Sequence, residues 1–196
     1  KISGKIDVIV NLMDKCQTIL IGGGMAYTFY AAQGLQIGDS LLEADKVGLA
    51  REILQQAKEK GVELLLPVDH VVADAFSVDA QTKEVEGEIE AGWMALDIGP
   101  KTAALYSAAV ATAKTVVWNG PMGCFEMSPF ANGTNSVCAA VAASDSVSII
   151  GGGDSVAAVK AAGVADQMSH VSTGGGASLE FMEGKQLPGI AALTDA

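Results

Sequence analysis

The sequence has few of the residues on which several common protein chemistries depend. Its three cysteines, Cys16, Cys124 and Cys138, form no C-x-x-C pair. This pattern argues against a disulfide framework or a zinc site and indicates reduced thiols. The two histidines, His70 and His170, lie in or near apolar stretches, so we expect both to be structural. Basic residues number 12 against 23 acidic ones, a net charge of −11. Such a surface repels phosphodiester backbones, which argues against a nucleic-acid partner.

No apolar run is long enough to cross a bilayer. The least polar stretch, 19–32, is interrupted by three glycines and is shorter than the roughly 20 residues that a spanning helix needs. The chain begins at Lys1, without an initiating Met or a signal-peptide pattern. We therefore expect a piece of a longer protein without a membrane partner, located in the cytoplasm, with a plastid or another organelle as the alternative.

Short apolar segments alternate with helix-like segments along the whole chain. The clearest amphipathic helix is predicted over 43–61 and ends at Gly61, while 71–82 looks irregular and the acidic stretch 83–90 is predicted to be a solvated loop or edge. About five parallel strands are predicted, at 17–24, 62–68, 115–121, 146–153 and 169–173. This order predicts a single doubly wound, Rossmann-like α/β domain, with a mostly parallel sheet and helices on both faces.

Three glycine triplets, at 22–24, 151–153 and 174–176, each follow a predicted strand and precede a predicted helix. Glycine at such a place permits positive φ and leaves room for a ligand. The free N–H groups of a helix start then attract anions. A single triplet is equally compatible with a tight strand-to-helix turn, but three at one sheet edge favour a nucleotide-sized anion site.

Two familiar nucleotide-binding motifs are absent. No G-x-x-x-x-G-K-[ST] occurs, so the sequence does not encode a P-loop. The triplets do not complete G-x-G-x-x-G either, because the sixth positions are Tyr27, Val156 and Leu179. A nicotinamide-dependent oxidoreductase is therefore disfavoured.

Asp154 directly follows the second triplet at a predicted helix start. It could cap that helix, which is worth about 1 kcal/mol. Beside a phosphate site it could instead hold Mg²⁺, which prefers a carboxylate together with phosphate oxygens and water. Both interpretations remain open on the sequence pattern alone.

Five long motifs, which occur in the same order as in a known protein family, carry a specific resemblance. The segments "LPVDHVVADAF" (66–76), "GWMALDIGPKT" (92–102), "VWNGPMGCFE" (117–126), "IIGGGDS" (149–155) and "STGGGASLE" (172–180) closely resemble the C-terminal half of phosphoglycerate kinase. The similarity runs from Lys1 to "LPGIAAL" near the end of the chain. It implies that 1–196 is the C-terminal nucleotide-binding domain, that the N-terminal phosphoglycerate-binding domain is absent, and that the sheet lacks the strand which normally precedes Lys1.

The resemblance also implies a glycolytic transferase activity, the reversible transfer of a phosphoryl group between 1,3-bisphosphoglycerate and ADP to give 3-phosphoglycerate and ATP. The substrates would be Mg-ADP or Mg-ATP on this chain and phosphoglycerate through the missing domain. Asp154 would be the Mg²⁺ ligand. Lys1, expected on one helical face with Lys5, would stabilise the migrating phosphoryl group. Catalytic roles are implied for Lys1, Gly152 and Gly175, and contacts with the phosphates or ribose for Lys5, Asn119, Glu126, Gly153, Ser155, Thr173, Gly174 and Gly176.

The same resemblance implies an apolar slot for the adenine ring, lined by Gly23, Gly24, Leu41, Phe76, Ala95, Leu96 and Met122. Ordinary core packing is the alternative for Leu41, Phe76 and Met122. Ala95 stands where the family usually has glycine, and its methyl group is expected to narrow the slot at a cost on the order of 1 kcal/mol. We expect a monomer that binds nucleotide and turns over poorly alone. The alternative function is a non-catalytic nucleotide-binding module.

Overall fold

The structure is a computed structural model that describes residues 1–193. The helices of this part of the chain are α1 (Ile6–Leu12), α2 (Met25–Ala32), α3 (Val47–Lys60), α4 (Pro100–Thr112), α5 (Asn132–Ala143), α6 (Gly153–Ala161), α7 (Gly175–Met182) and α8 (Pro188–Ala191). The strands are β1 (Thr18–Leu20), β2 (Glu63–Leu65), β3 (Asp69–Ala73), β4 (Thr82–Glu86), β5 (Met94–Ile98), β6 (Thr115–Asn119), β7 (Val147–Gly151) and β8 (His170–Val171). Strands and helices alternate as the sequence predicts except between α3 and α4, where β2, β3, β4 and β5 follow one another without a helix.

Helix α3 forms because its apolar residues fall on one face. Ala50, Ile53 and Ala57 are buried at helical spacing, and the helix ends at Gly61, whose φ of 68° is left-handed. The predicted amphipathic helix over 43–61 is thereby confirmed from Val47 onward. Residues 44–46 form a 3-10 turn instead of the first helical turn.

The five parallel strands lie in two ladders, β1–β2 and β6–β7–β8. Helices cover the first ladder on both faces. Ile19 and Leu64 pack on a cluster from α1, α2 and α3, whereas Leu20 and Leu65 pack on a cluster from α4 and α5. That second cluster also contains Trp118 of β6, so both ladders share one core. The α/β fold in one domain is thus confirmed.

No ladder of hydrogen bonds joins β1 to β6 in the described part of the chain. The one backbone bond between their carboxyl-terminal ends runs from the Gly23 N–H to the Met122 oxygen, at 2.9 Å. A sheet that lacks one strand between β1 and β6 would have this arrangement. The missing first strand stays a prediction.

The remaining three strands form an antiparallel sheet in the order β4–β3–β5, which the sequence did not predict. The expectation of an irregular segment at 71–82 holds only for 74–81, because Asp69–Ala73 is a regular strand. The acidic stretch begins as the edge strand β4, in which Lys83 and Val85 are half-buried between exposed residues. The alternation of exposed and half-buried residues is hard to see in the sequence because Lys83, a polar residue, takes a half-buried position, with its Nζ 4.2 Å from the centre of the Trp93 ring.

His70 is fully buried between two tyrosines of α2, as expected for a structural histidine. The Tyr30 hydroxyl donates to the Pro67 carbonyl oxygen, so the His70 Nε2–H donates to the Tyr30 oxygen, at 3.1 Å. His70 Nδ1 then accepts from the Tyr27 hydroxyl, at 3.3 Å. This chain of bonds satisfies a neutral imidazole, and burial lowers the pKa of His70 to about 4.

We expect His70 to make the stability of the chain fall as the pH is lowered from about 6.5 to about 4. In that range the unfolded chain takes up a proton that the folded chain excludes, a linkage effect on the order of 2–3 kcal/mol. Burial raises the pKa of the Asp97 carboxyl to about 7, which acts in the opposite direction. Urea unfolding of the natural chain and of His70→Phe at pH 8, 6, 5 and 4 isolates the histidine. Equal slopes in both proteins would contradict this account.

Residues 1–193 contain no helix with the length and apolar character needed to cross a membrane.

Candidate functional site

The three glycine triplets supply the start of three helices. Gly24, Gly152 and Gly174 are the N-cap residues of α2, α6 and α7, respectively, and none of these caps carries a side-chain hydrogen bond. In α6 and α7 the first backbone N–H groups that find a partner are those of Val156 and Ser178, so the N–H groups before them are left for a ligand. In α2 the Ala26 and Tyr27 N–H groups already donate to the Gly23 and Gly24 oxygens, at 3.2 and 3.4 Å. Since each triplet follows β1, β7 or β8, the predicted place between strand and helix is confirmed.

The triplets lie along one rim at the carboxyl-terminal ends of the parallel strands. Gly23 is bonded to Met122, three residues beyond Asn119 at the end of β6. A Cβ atom on Gly152 would lie 3.1 Å from Asn119 Nδ2, and one on Gly151 would lie 3.6 Å from Cβ of Ser178 in α7. We call residues 22–24, 119–122, 151–153 and 174–176 the glycine rim.

Asn119 and Lys5 supply polar groups to this rim. The Lys5 ammonium donates to Asn119 Oδ1. Because an ammonium group only donates, this bond fixes the orientation of the amide. Asn119 Nδ2 is then the free end, and it is buried without a hydrogen-bond partner among the described residues. A buried donor without an acceptor is costly, so the site suits a ligand that brings an acceptor oxygen, such as a phosphate.

Lys5 is half-buried beside this amide. Burial lowers the pKa of its ammonium, while the nearby charges of Asp154 and Glu183 raise it. The site thus combines a lysine, a free amide N–H pair and the starts of α6 and α7, all of which favour an anion.

Lys1 is placed differently from its expected position. It precedes a 3-10 turn over Ile2–Gly4, and Lys5 follows that turn with φ of −132°, so the two lysines share no helical face. The exposed Lys1 has its terminal amino group near Glu43. The expectation of one helical face is wrong because the α-helix begins only at Ile6. The catalytic role of Lys1 stays a prediction.

Asp154 lies exposed in the first turn of α6, and the cap of that helix is Gly152. The capping alternative for Asp154 is therefore not what the structure has. Within residues 1–193 no three His, Cys, Asp or Glu side chains cluster around a metal position. A lone carboxylate beside a phosphate cradle suits Mg²⁺, which keeps water and phosphate oxygens as its other ligands.

Ser155 is fully buried, and its hydroxyl oxygen accepts the Gly120 N–H at 2.6 Å. In the structure it therefore faces a turn of the chain, while its predicted ligand contact stays untested. The other phosphate-side and ribose-side predictions, Glu126, Gly153, Thr173, Gly174, Gly175 and Gly176, are all exposed.

The predicted base slot is only partly assembled. A Cβ atom on Gly24 would lie 2.7 Å from Cδ2 of Leu41, and one on Gly22 would overlap Met122. Leu41 is exposed by 48%, so the core-packing alternative does not describe it. Met122, exposed by 6%, also belongs to the core that contains Trp118. Phe76 lies on the β3–β4 loop with 68% of its surface exposed.

The two slot residues of β5 pack inward. Ala95 contacts the cluster of Tyr27, Val72 and Ile89, and Leu96 contacts the cluster of Ala73 and Phe130. Ser40 Oγ accepts the Ala95 N–H at 3.0 Å, which places this strand beside Leu41. Whether the Ala95 methyl group narrows the slot stays a prediction.

Three buried residues near the site were not predicted from the sequence. Trp118 Nε1–H donates to the Gly120 oxygen at 2.6 Å, and Thr134 Oγ1 accepts the Met122 N–H at 3.1 Å. The Asp97 carboxylate accepts the Gly133 N–H at 2.7 Å and thereby joins β5 to the start of α5. These bonds depend on tertiary packing, so no local pattern indicates them.

Comparison with known proteins identifies similar sequences over the full chain. The family model described as phosphoglycerate kinase matches residues 1–185. The chain is 63% identical over 196 residues to the phosphoglycerate kinase of Clostridium botulinum (strain Langeland), and 61% identical to that of Clostridium tetani. The phosphoglycerate kinase of Acidobacterium capsulatum is 62% identical over 198 residues. Each match covers 100% of this chain and 49% of the relative, so the chain spans about half the length of these curated relatives.

Two solved structures have the same fold. Phosphoglycerate kinase from Coxiella burnetii superimposes with a TM-score of 0.95 at 46% identity, over 97% of this chain and 50% of that one. The enzyme from Pyrococcus horikoshii OT3 gives a TM-score of 0.84 at 32% identity, over 98% of this chain and 49% of that one.

Proposed function

The chain belongs to the phosphoglycerate kinase family, and on that basis we propose that it is the nucleotide-binding half of an enzyme that transfers a phosphoryl group between 1,3-bisphosphoglycerate and ADP. One observation carries the proposal. Asn119 Nδ2 is a buried donor without a hydrogen-bond partner among residues 1–193, and it lies beside Gly152, at the start of α6. A phosphate oxygen placed there would satisfy the amide and meet the free N–H groups of that helix.

The proposed nucleotide lies along the glycine rim. The adenine ring lies against the Gly23–Gly24 backbone, next to the exposed side chain of Leu41, and the phosphates lie near Asn119, Lys5 and Gly152. Asp154 would hold Mg²⁺, which supplies charge neutralisation for the transferring phosphoryl group when bound. Backbone N–H groups of α6 and α7 would orient the oxygens that carry charge in the transition state.

The protein has little covalent chemistry to perform in this reaction. The acceptor in either direction is already an ionised carboxylate or phosphate, so no general base is needed. Catalysis then depends on positioning and charge neutralisation. Such a mechanism fits a glycine rim that is flanked by Lys5 and Asp154, and it gives no role to His70, which is buried and hydrogen-bonded to two tyrosines.

The test is a calorimetric titration of the 196-residue chain with Mg-ADP, Mg-ATP and NAD, together with a steady-state assay. We expect saturable 1:1 binding of both magnesium nucleotides, no binding of NAD, and no turnover above background from the chain alone. Activity should appear in the full-length protein that contains the second half. Failure to bind Mg-ADP would overturn the proposal. Binding without activity in the full-length protein would favour a non-catalytic nucleotide-binding module.

A further inference from the structure

The turn that follows β6 connects the two parts of the proposed site. Asn119 faces the phosphate side, and Met122, three residues later, faces the base side. Between them Gly120 has a φ of 108°, a conformation that residues with side chains rarely adopt. Glycine is flexible, so its own backbone preference does not fix the path of this turn. Pro121 restrains one φ angle within the turn, and the remaining freedom at Gly120 is limited by groups outside the turn.

The backbone N–H and the carbonyl oxygen of Gly120 are each hydrogen-bonded to a buried side chain. Its N–H donates to Ser155 Oγ of α6 at 2.6 Å, and its oxygen accepts from Trp118 Nε1 at 2.6 Å. Ser155 is fully buried, and Trp118 is 5% exposed within the main core. Both bonds are therefore partly shielded from water, which strengthens them relative to hydrogen bonds at an exposed turn.

Met122 is held in the same way at the other end of the turn. Its N–H donates to Thr134 Oγ1 of α5 at 3.1 Å, and its oxygen accepts the Gly23 N–H at 2.9 Å. The base side is therefore anchored on α5 and on the first triplet, whereas Gly120 is anchored on α6 and β6. The spacing between Asn119 and Met122 depends on the Gly120 anchors.

We propose that Ser155 and Trp118 are positioning residues that set the distance between the phosphate-binding and base-binding parts of the site. The inference rests on the proposed binding of a nucleoside diphosphate along the glycine rim. Ser155 then acts through Gly120 and needs no contact of its own with the ligand. A ligand that spans both parts should depend on these two side chains, while a ligand that fills one part should not.

The experiment compares Ser155→Ala and Trp118→Phe with the natural chain. The first variant removes the hydroxyl acceptor, and the second keeps an aromatic ring but removes the Nε1–H donor. Binding of three probes is followed by amide chemical shifts: Mg-ADP, adenosine, and Mg-pyrophosphate. We expect the affinity for Mg-ADP to fall at least about tenfold in both variants, or about 1.4 kcal/mol. The affinities for adenosine and for Mg-pyrophosphate should each change less than about threefold, because the residues of each part remain.

Ser148→Ala is the matched control. Ser148 is also a buried serine next to the parallel strands, and it exchanges hydrogen bonds with Ser169 at 2.9 and 3.0 Å without touching the turn. The Ser148→Ala variant should have a lower free energy of unfolding. The ratio of its affinity for Mg-ADP to its affinities for adenosine and for Mg-pyrophosphate should not change. Ser155→Thr retains the hydroxyl acceptor and should bind Mg-ADP about as tightly as the natural chain. It keeps the proposal testable if Ser155→Ala folds poorly.

Three results would overturn the proposal. One is a loss of Mg-ADP affinity no larger than in Ser148→Ala, and another is an equal loss for all three probes. The third is a Ser155→Thr chain that folds but binds Mg-ADP as weakly as Ser155→Ala. A natural chain that binds adenosine and pyrophosphate but not Mg-ADP would overturn the proposed function and this inference with it.

Discussion

Replacing Gly152 with alanine should weaken Mg-ADP binding by at least about tenfold, which corresponds to 1.4 kcal/mol. Gly152 has a φ of 84°, and an alanine Cβ atom there would lie 3.1–3.3 Å from three atoms of the Asn119 side chain. The methyl group would push this amide away from its bond with Lys5. It would also fill the space next to the first N–H groups of α6. The backbone strain alone should lower the free energy of unfolding by about 1–2 kcal/mol.

Gly163→Ala separates the two effects of that change. Gly163 lies just beyond the opposite end of α6 with a φ of 69°, and apart from its chain neighbours no described residue comes within 4 Å of an added Cβ atom. It should therefore lose similar stability and keep the affinity for Mg-ADP. Calorimetric titration and urea unfolding of both variants measure the comparison. Equal affinities in the two variants would show that the Gly152 backbone is not part of an anion site.

The second large effect is expected for Asp154→Asn, which removes one charge and keeps the side-chain shape. In the natural chain Mg²⁺ should raise the affinity for ADP, because the metal joins the carboxylate to the phosphate oxygens. The variant should bind ADP with an affinity that no longer depends on Mg²⁺. In the full-length protein we expect turnover to fall at least about a hundredfold, or nearly 3 kcal/mol in the barrier. Stability should change by only a few tenths of a kcal/mol, since Asp154 is an exposed first-turn acid.

Asp166→Asn is the control for this charge change. Asp166 is also exposed and lies in the first turn of a short 3-10 helix after α6. It should leave both the magnesium dependence and the turnover unaltered. Full activity of Asp154→Asn in the full-length protein would contradict the assignment of Asp154 and would favour a chain that binds nucleotide without catalysing transfer.

The glycine rim could be predicted because its signals are local. Each triplet follows a short apolar segment and opens a helix, and parallel strands end at the same edge of a sheet. The position of Gly61 at the end of α3 was predictable for the same reason, since a left-handed cap requires little more than the residue itself. Helix starts and stops are written in a few neighbouring residues.

The antiparallel sheet was not predicted because the sequence of β4 does not show a clear alternation of polar and apolar residues. Lys83 occupies a half-buried position of β4 by laying its stem and ammonium against Trp93. A charged residue at an inward position makes the strand read as a polar loop. In the pairing of β3 with β5 the register shifts between Val71 and Val72, so that Leu96 has no opposite residue on β3, which disturbs the period of two in β5.

The sequence also did not predict which side chains of the site are exposed and which are buried. Asp154 and Ser155 are neighbours on α6, yet one is exposed and the other is fully buried against Gly120. Helical geometry turns successive residues by about 100°, so adjacent motif residues need not face the same ligand. Only the packing of α6 against the turn after β6 decides which of them points outward. The same holds for Lys1 and Lys5, whose spacing of four implied a helix that begins only at Ile6.

The division of the parallel strands into two ladders has a mechanical consequence. In the described part of the chain, the β1–β2 ladder and the β6–β7–β8 ladder form two halves that are joined by side-chain contacts and by the single backbone hydrogen bond between Gly23 and Met122. A molecule that touches both Gly23 and Gly152 would bridge this boundary, and its binding energy would add directly to the cohesion of the halves. If the ligand joins the two halves in this way, saturation with it should slow amide hydrogen exchange more in β1 and β2 than in β7.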